Sequence, residues 1–217
     1  MLVGILGGTG PAGKGVGYRC ALAGHDVFLG SRDIERAEKS AEELSHSVLV
    51  GTISGARNED VVGKADLIVL AVPWQGAVTT AEGFEPQLRG KVLVSMVNAI
   101  AFHGGRPEPL LPASGSIAVR LQSRLPEVRV IAAMHHLPAR VMLDSSAVPD
   151  FDVLIAGDDD SAIKIVKELV NSVAGLRAVE AGQLQNATAL EALTPVLIDI
   201  NMRYKARSGV RITGLEL

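Results

Sequence analysis

The residues whose types and spacing point to chemistry are Gly8, Gly10 and Gly13, followed at a distance by the pair Ser31-Arg32. The glycines fill a G-x-G-x-x-G pattern inside Gly7-Gly8-Thr9-Gly10-Pro11-Ala12-Gly13. In that pattern the first glycine permits a tight turn, the second lets a pyrophosphate approach the backbone, and the third lets a helix pack closely on a strand. A helix start just behind the loop offers unpaired N–H groups and a partial positive charge to phosphate oxygens. An NAD-preferring site places Asp or Glu about 20 residues further on, against the ribose 2′-hydroxyl. Here the second strand ends Leu29-Gly30-Ser31-Arg32, a hydroxyl and a guanidinium in the carboxylate's place. Arginine clamps a phosphate bidentately and stacks on a planar base, so the cofactor reads as NADP(H). Arg36, one turn into the next helix, is in reach of the same phosphate, and Asp33 reads as that helix's cap. The plainer alternative for Ser31, Arg32 and Arg36 is a solvated turn and helix start.

The elements that must position these residues follow from the apolar pattern. Leu2 to Leu6 reads as a strand, a helix runs to about Ala23, Gly24 stops it, and Asp26 to Gly30 returns as a strand. Asp33 to about His46 reads as a helix with Ala37, Ala41 and Leu44 on one face. Further strands are expected at Ser47–Ile53, Ala65–Pro73, Lys91–Val97 and Val128–Met134, and a short helix opens at Asn58-Glu59-Asp60. The near-continuous apolar character of Ala65–Pro73 suits a strand buried on both faces. Alternation of strands and helices predicts an α/β fold, a Rossmann-type doubly wound parallel sheet of order 3-2-1-4-5-6. Residues 1–134 would form the NADP-binding domain. After Met134 the alternation breaks, and residues 135–217 read as a smaller C-terminal α/β part. It holds a strand at Asp152–Ala156, a helix at Ser161–Ala174, a strand at Leu176–Glu180, and a long amphipathic segment, Leu184–Tyr204, which Pro195 should kink or break. The apolar tail from Gly209 to Leu215 should tuck against the body or a second subunit.

Composition narrows the classes. The chain has 217 residues, 47% of them hydrophobic, and a net charge of −3, with a mean hydropathy of +0.28. That suits a dry core and gives no reason to expect nucleic acid or an anionic membrane as partner. The one cysteine, Cys20, falls within the first helix and reads as a small buried hydrophobe. No apolar run approaches the roughly 20 residues of a membrane-spanning helix. A basic leader with an apolar signal core is not seen at the start, so a soluble cytoplasmic protein is expected.

In a doubly wound sheet, ligands lie beyond the carboxyl ends of the strands. Besides the glycine loop, those ends are Val72-Pro73-Trp74, Val97-Asn98-Ala99 and His135-His136-Leu137-Pro138. Trp74 would present a flat side chain near the nicotinamide, or else pack under a loop. Adjacent residues on a strand face opposite ways, so at most one of His135 and His136 would face the pocket. Neither has neighbours in metal-ligand spacing, and no metal is expected. Asp158-Asp159-Asp160 reads as helix capping. A redox cofactor with no obvious general acid or base fits an acceptor that needs only a hydride and a stacked geometry. His135 is the only candidate for an acid–base role.

Several of these stretches together resemble one family, the NADPH-dependent reductases of coenzyme F420. They are Ile5-Leu6-Gly7-Gly8-Thr9-Gly10 with Gly13-Lys14-Gly15, Gly24-His25-Asp26 with Gly30-Ser31-Arg32, and Asn58-Glu59-Asp60. Val72-Pro73-Trp74, His135 with Pro138-Ala139-Arg140, Gly157-Asp158-Asp159-Asp160 and Leu193-Thr194-Pro195 complete the set. The resemblance spans nearly the whole chain. It implies reversible hydride transfer between the nicotinamide of NADP(H) and the central carbon of an 8-hydroxy-5-deazaflavin, which would stack in a cleft closed by the C-terminal part. It implies that Gly8, Thr9, Gly10, Pro11, Ala12 and Gly13 surround the pyrophosphate and that Ser31, Arg32 and Arg36 hold the 2′-phosphate. Val72, Pro73 and Trp74 would flank the nicotinamide, while Val97, Asn98, Ala99, His135 and Leu137 border the deazaflavin. The family often has a proline near Asn98-Ala99, and this chain has none there. A homodimer is expected, partly from the resemblance. Arg106, Arg120, Arg124, Arg129 and Arg140 are candidates to line the exit for the deazaflavin's acidic tail. Two other readings stay open at this stage: a non-catalytic NADP(H)-sensing module, and a reductase of another small acceptor such as a flavin, a ferric chelate or an imine.

Overall fold

The computed structural model describes residues 1–110 and 112–215. Its first half is a run of strand–helix units: β1 (Leu2–Leu6), α1 (Pro11–Leu22), β2 (Asp26–Ser31), α2 (Ile34–Ser45), β3 (Thr52–Arg57), α3 (Asn58–Lys64), β4 (Leu67–Leu70), α4 (Trp74–Glu82), α5 (Glu85–Leu88) and β5 (Val92–Ser95). There follow β6 (Ile100–His103), β7 (Arg106–Pro109), α6 (Ile117–Arg124), β8 (Arg129–Ala132), α7 (Ala139–Met142), β9 (Phe151–Gly157), α8 (Asp160–Ser172), β10 (Leu176–Glu180) and α9 (Ala187–Tyr204).

The main sheet has eight strands in the order β10-β9-β8-β5-β4-β1-β2-β3. Strands β3-β2-β1-β4-β5-β8 are parallel and are the six of the expected doubly wound order. Side chains alternate between its faces. Leu67 and Val69 of β4 join one core cluster, with Val3, Ile5, Val92 and Val94. Ile68 and Leu70 join the other, with Leu6 and Leu93. All four β4 side chains are buried, the condition that a central strand with helices on both faces must meet.

Boundaries differ where glycine or proline disguises a strand. β3 lies at Thr52–Arg57 and not at Ser47–Ile53. Its Gly55 packs so tightly that a Cβ there would stand 2.3 Å from the backbone of Ala37 and Glu38. The β6–β7 hairpin, antiparallel and turned through Gly104-Gly105 at positive φ, was not expected from the pattern. α9 is continuous through Pro195, preceded by a 3-10 turn over Leu184–Asn186, so the proline neither breaks the helix nor ends it. α2 matches its expected span, with the Asp33 carboxylate accepting from the Arg36 N–H.

β9 pairs antiparallel to β8, so the sheet continues past residue 134, and β10 adds parallel to β9. The C-terminal tail runs beside the start of β9, where the Asp152 N–H donates to the Val210 carbonyl at 2.8 Å. The buried Asp152 carboxylate holds it there by accepting from the Ile212 N–H at 2.6 Å. Of the two expected places for the tail, its polar contacts are with the body. No helix among the described residues is long and apolar enough to cross a membrane.

Candidate active site

The chain leaves β1 through Gly7, whose φ of +74° is open to glycine at little cost. The Gly8 N–H then donates to the carbonyls of Ile5, at 3.1 Å, and Gly30, at 2.9 Å. The three motif glycines differ in what a side chain would meet. A Cβ on Gly8 would lie 2.9 Å from the Leu29 Cα, and one on Gly13 would lie 3.0 Å from the Gly8 Cα and 3.2 Å from the Ala71 Cβ. On Gly10 it would meet nothing nearer than 3.8 Å. Turn, open approach and close packing are the conditions that a pyrophosphate cradle requires. Gly10 caps α1 with no side-chain hydrogen bond, Pro11 follows it, and no acidic residue occupies the first turn. The leading N–H groups of α1 are thus left for an anion. These residues fit a dinucleotide.

One cleft of about 800 Å³ runs past this loop. Thr9, Gly10, Pro11, Ala12 and Gly13 line it, with Ser31, Arg32 and Arg36 toward one end and Val72, Pro73, Val97 and Asn98 along its wall. Ser31 is buried and accepts from the Asp33 N–H at 3.1 Å, while Arg32 and Arg36 are exposed. Gly8, Trp74, Ala99, His135 and Leu137 do not line the cleft. Gly8 serves the turn beneath it, and Trp74 packs, half-buried, on a core cluster. Ala99 and Leu137 are buried. The cleft also has a wall that the sequence reading missed, formed by Asn58 and Glu59 of α3 and by Gly76, Thr79 and Thr80 of α4, continued by Gly83 and Phe84. Small residues on an amphipathic helix carry no chemical signature, and Asn58-Glu59 reads in the sequence as a helix start and a family motif, not as part of a cleft.

His135 and His136 follow β8 in a turn that Met134 enters at a φ of 67°, so strand alternation does not sort them. Both are buried and neither lines the cleft. The His136 Nε2 lies 2.8 Å from the Asp152 carbonyl. Among the described residues neither ring nitrogen of His135 has a partner, and burial pushes its pKa down to about 3. A neutral imidazole at ordinary pH is the result. The main chain at His135 is nonetheless tied to the cleft. Its carbonyl accepts from the Asn98 Nδ2 at 3.0 Å and the Thr194 Oγ1 at 3.2 Å, and the same hydroxyl lies 3.0 Å from the Asn98 Oδ1. One amide therefore joins the end of β5, the turn after β8 and α9.

Arg19, buried on α1, fastens the following loop. Its Nε donates to the Met142 carbonyl at 2.8 Å, and its Nη2 to the carbonyls of Val141, Asp144 and Ala147 at 2.6 to 2.8 Å. Cys20 beside it is buried, and desolvation raises its thiol to about 12, which leaves it a packing residue. Asp159 caps α8, accepting from the Ala162 N–H at 2.7 Å. Asp158 accepts from the Leu184 N–H. None of the five candidate exit arginines lines the cleft. Arg124 pairs with Glu82, and Arg129 donates to Ser161 and the Gly90 carbonyl.

A family model described as NADP oxidoreductase, coenzyme F420-dependent, matches residues 2–99. An F420-dependent NADP reductase of Methanocaldococcus jannaschii is 35% identical, covering 100% of both chains. Another, from Methanothermobacter thermautotrophicus, is 38% identical over 99% of this chain and 96% of its own. A crystal structure from Arthrobacter sp. FB24, of a chain provisionally described as an F420-dependent NADP-reductase, superposes with a TM-score of 0.82 at 26% identity, covering 97% of this chain and 98% of that one. With a dinucleotide cradle on the expected sheet and full-length likeness at this level, the chain belongs to the F420-dependent NADP reductase family.

Proposed function

We propose that this protein catalyses reversible hydride transfer between NADP(H) and coenzyme F420, an 8-hydroxy-5-deazaflavin. The observation that carries this reading is a single cleft that joins the glycine cradle and the Ser31-Arg32-Arg36 corner to the Val97-Asn98 wall. NADP(H) would lie along it with its pyrophosphate against Thr9, Gly10, Pro11, Ala12 and Gly13, on the turn that Gly8 makes, and its 2′-phosphate against Ser31, Arg32 and Arg36. Val72 and Pro73 would flank the nicotinamide and Val97 and Asn98 would border the deazaflavin, while Trp74, Ala99, His135 and Leu137 support that wall from outside the cleft. The nicotinamide supplies or receives the hydride, and the chain's part is to hold the two rings in register, which alone removes much of the entropic barrier. Residues 1–134 are the NADP-binding unit, and 135–217 brace the end of the cleft wall through the Asn98–Thr194 contact. The exposed apolar residues Val196, Ile200 and Tyr204 on α9 favour a homodimer. With no membrane-crossing helix described and small-molecule partners alone, a cytoplasmic enzyme is the reading we favour.

The test mixes protein, NADPH and oxidised F420 and follows loss of the deazaflavin's visible absorbance. FAD, FMN and ferric citrate in parallel report on other acceptors. Turnover with F420 alone supports the proposal. Turnover only with another acceptor, or tight NADPH binding with no turnover at all, overturns it.

A further inference from the structure

Arg57, the last residue of β3, stands beside Ser31 in the parallel ladder between β2 and β3. Paired residues in such a ladder project toward the same face of the sheet. The Arg57 guanidinium reaches over the end of β2, its Nη1 donating to the Arg32 carbonyl at 3.4 Å. Among the described residues, no carboxylate lies within 4.0 Å of the guanidinium of Arg57, Arg32 or Arg36. Glu59 lines the same cleft without pairing with any of them. Two unneutralised cations thus border one end of the cleft, and a third hangs directly behind the main chain that carries them. Like charges gathered this way repel in the free chain and are relieved by an anion.

We infer that Arg57 is a specificity-determining residue for the nucleotide: its guanidinium adds positive field to the corner formed by Ser31, Arg32 and Arg36 and braces the backbone from which Arg32 projects. This rests on the placement of the 2′-phosphate given above. Arg57 is exposed and outside the sheet core, so its replacement leaves folding intact.

The experiment measures dissociation constants of NADPH and NADH for the full chain and for Arg57→Gln, Arg57→Lys and Arg32→Ala, at low and high salt. Glutamine retains a donor for the Arg32 carbonyl and removes the charge, so it separates field from bracing. Arg57→Gln should weaken NADPH about three- to fivefold, the scale of an interaction between exposed charges that do not touch. NADH should stay within about twofold, and the salt dependence of NADPH binding should become shallower as one cation is lost. Arg57→Lys should recover most of the affinity. Equal losses for both nucleotides, or none in Arg57→Gln, overturn the inference. If Arg32→Ala discriminates between the nucleotides and Arg57→Gln does not, the role of Arg57 alone falls. If Arg32→Ala also fails to discriminate, the 2′-phosphate placement falls with it.

Discussion

The Arg177 guanidinium on β10 grips the Asp152 carboxylate on β9 by two parallel 2.7 Å hydrogen bonds, Nε to one oxygen and Nη2 to the other. The same carboxylate accepts from the Arg211 Nη1 and the Ile212 N–H, and Arg177 donates further to the Ile212 carbonyl. Asp152 has no exposed side-chain surface, so the tail is held through a carboxylate kept charged by its partners. The side-chain hydrogen bond from Arg177 is the largest cause of its depressed pKa. A depressed carboxylate stabilises the fold above its unfolded value of 3.8 and loses that contribution as pH falls through the lower folded value. Arg177→Met should therefore lower the melting temperature by several degrees at pH 7, with a smaller deficit near pH 3. An equal deficit at both pH values, read by thermal unfolding, would show that packing alone is lost.

Gly10 and Gly13 should separate binding from folding. Alanine at position 10 stands in open cleft space and should leave the melting temperature within about a degree or two, a surface-like change, while NADPH affinity collapses. Alanine at 13 presses on the Gly8 Cα and Ala71 and should destabilise the chain by about 1–3 kcal/mol, as overpacking does. Calorimetry with nucleotide titration checks both. Melting losses of equal size in the two variants would contradict the assignment.

His135 should leave no trace in the pH profile. With its pKa pushed down to about 3 by burial, its ring is neutral from pH 5 to 8, and the hydride step should show no histidine limb there. His135→Ala removes a buried ring that does not line the cleft, so it should lower the melting temperature while leaving NADPH affinity unchanged. The sign for stability is the reverse of an ion-paired histidine. The buried neutral ring favours the fold above 6.5, and this contribution is lost as pH falls from there toward about 3. A kinetic limb near pH 6.5 that vanishes in His135→Ala would refute the neutral assignment.

Glu191 on α9 reaches the start of α6, accepting from the N–H groups of Ile117 at 2.9 Å and Ala118 at 3.0 Å. Desolvation outweighs these bonds and pushes its pKa up to about 7. Its contribution is full below 4.5 and lost as pH rises through about 7. Glu191→Gln cannot ionise, so the gap between wild type and variant should narrow in the variant's favour from pH 5 to pH 8. A constant gap across that range, measured by urea unfolding, would count against a titrating Glu191.

The strand order was legible because buried parallel strands must be apolar on both faces, and Leu67–Leu70 and Val92–Ser95 advertise that directly. The cradle was legible because backbone approach leaves glycine as its mark. β3 was misplaced because Gly55, which packs on the backbone at Ala37-Glu38, looks like a loop residue in isolation. The β6–β7 hairpin was hidden by Pro107, Pro109 and the Gly104-Gly105 turn, none of which alternates as a strand should. The far wall of the cleft was invisible because threonine and glycine on α4 gain meaning only from what faces them. Buried polar ties such as Glu191 to α6 join residues 73 and 74 positions apart, and no local pattern encodes them.

The grip of Arg19 on the 141–147 loop uses main-chain oxygens alone. Such a clasp is blind to side-chain identity: the loop can drift in composition between relatives and still trace the same path. The instruction for its shape is written elsewhere, in one guanidinium on the helix that begins at the phosphate cradle, where a lysine, with a single nitrogen, could not span the same four acceptors.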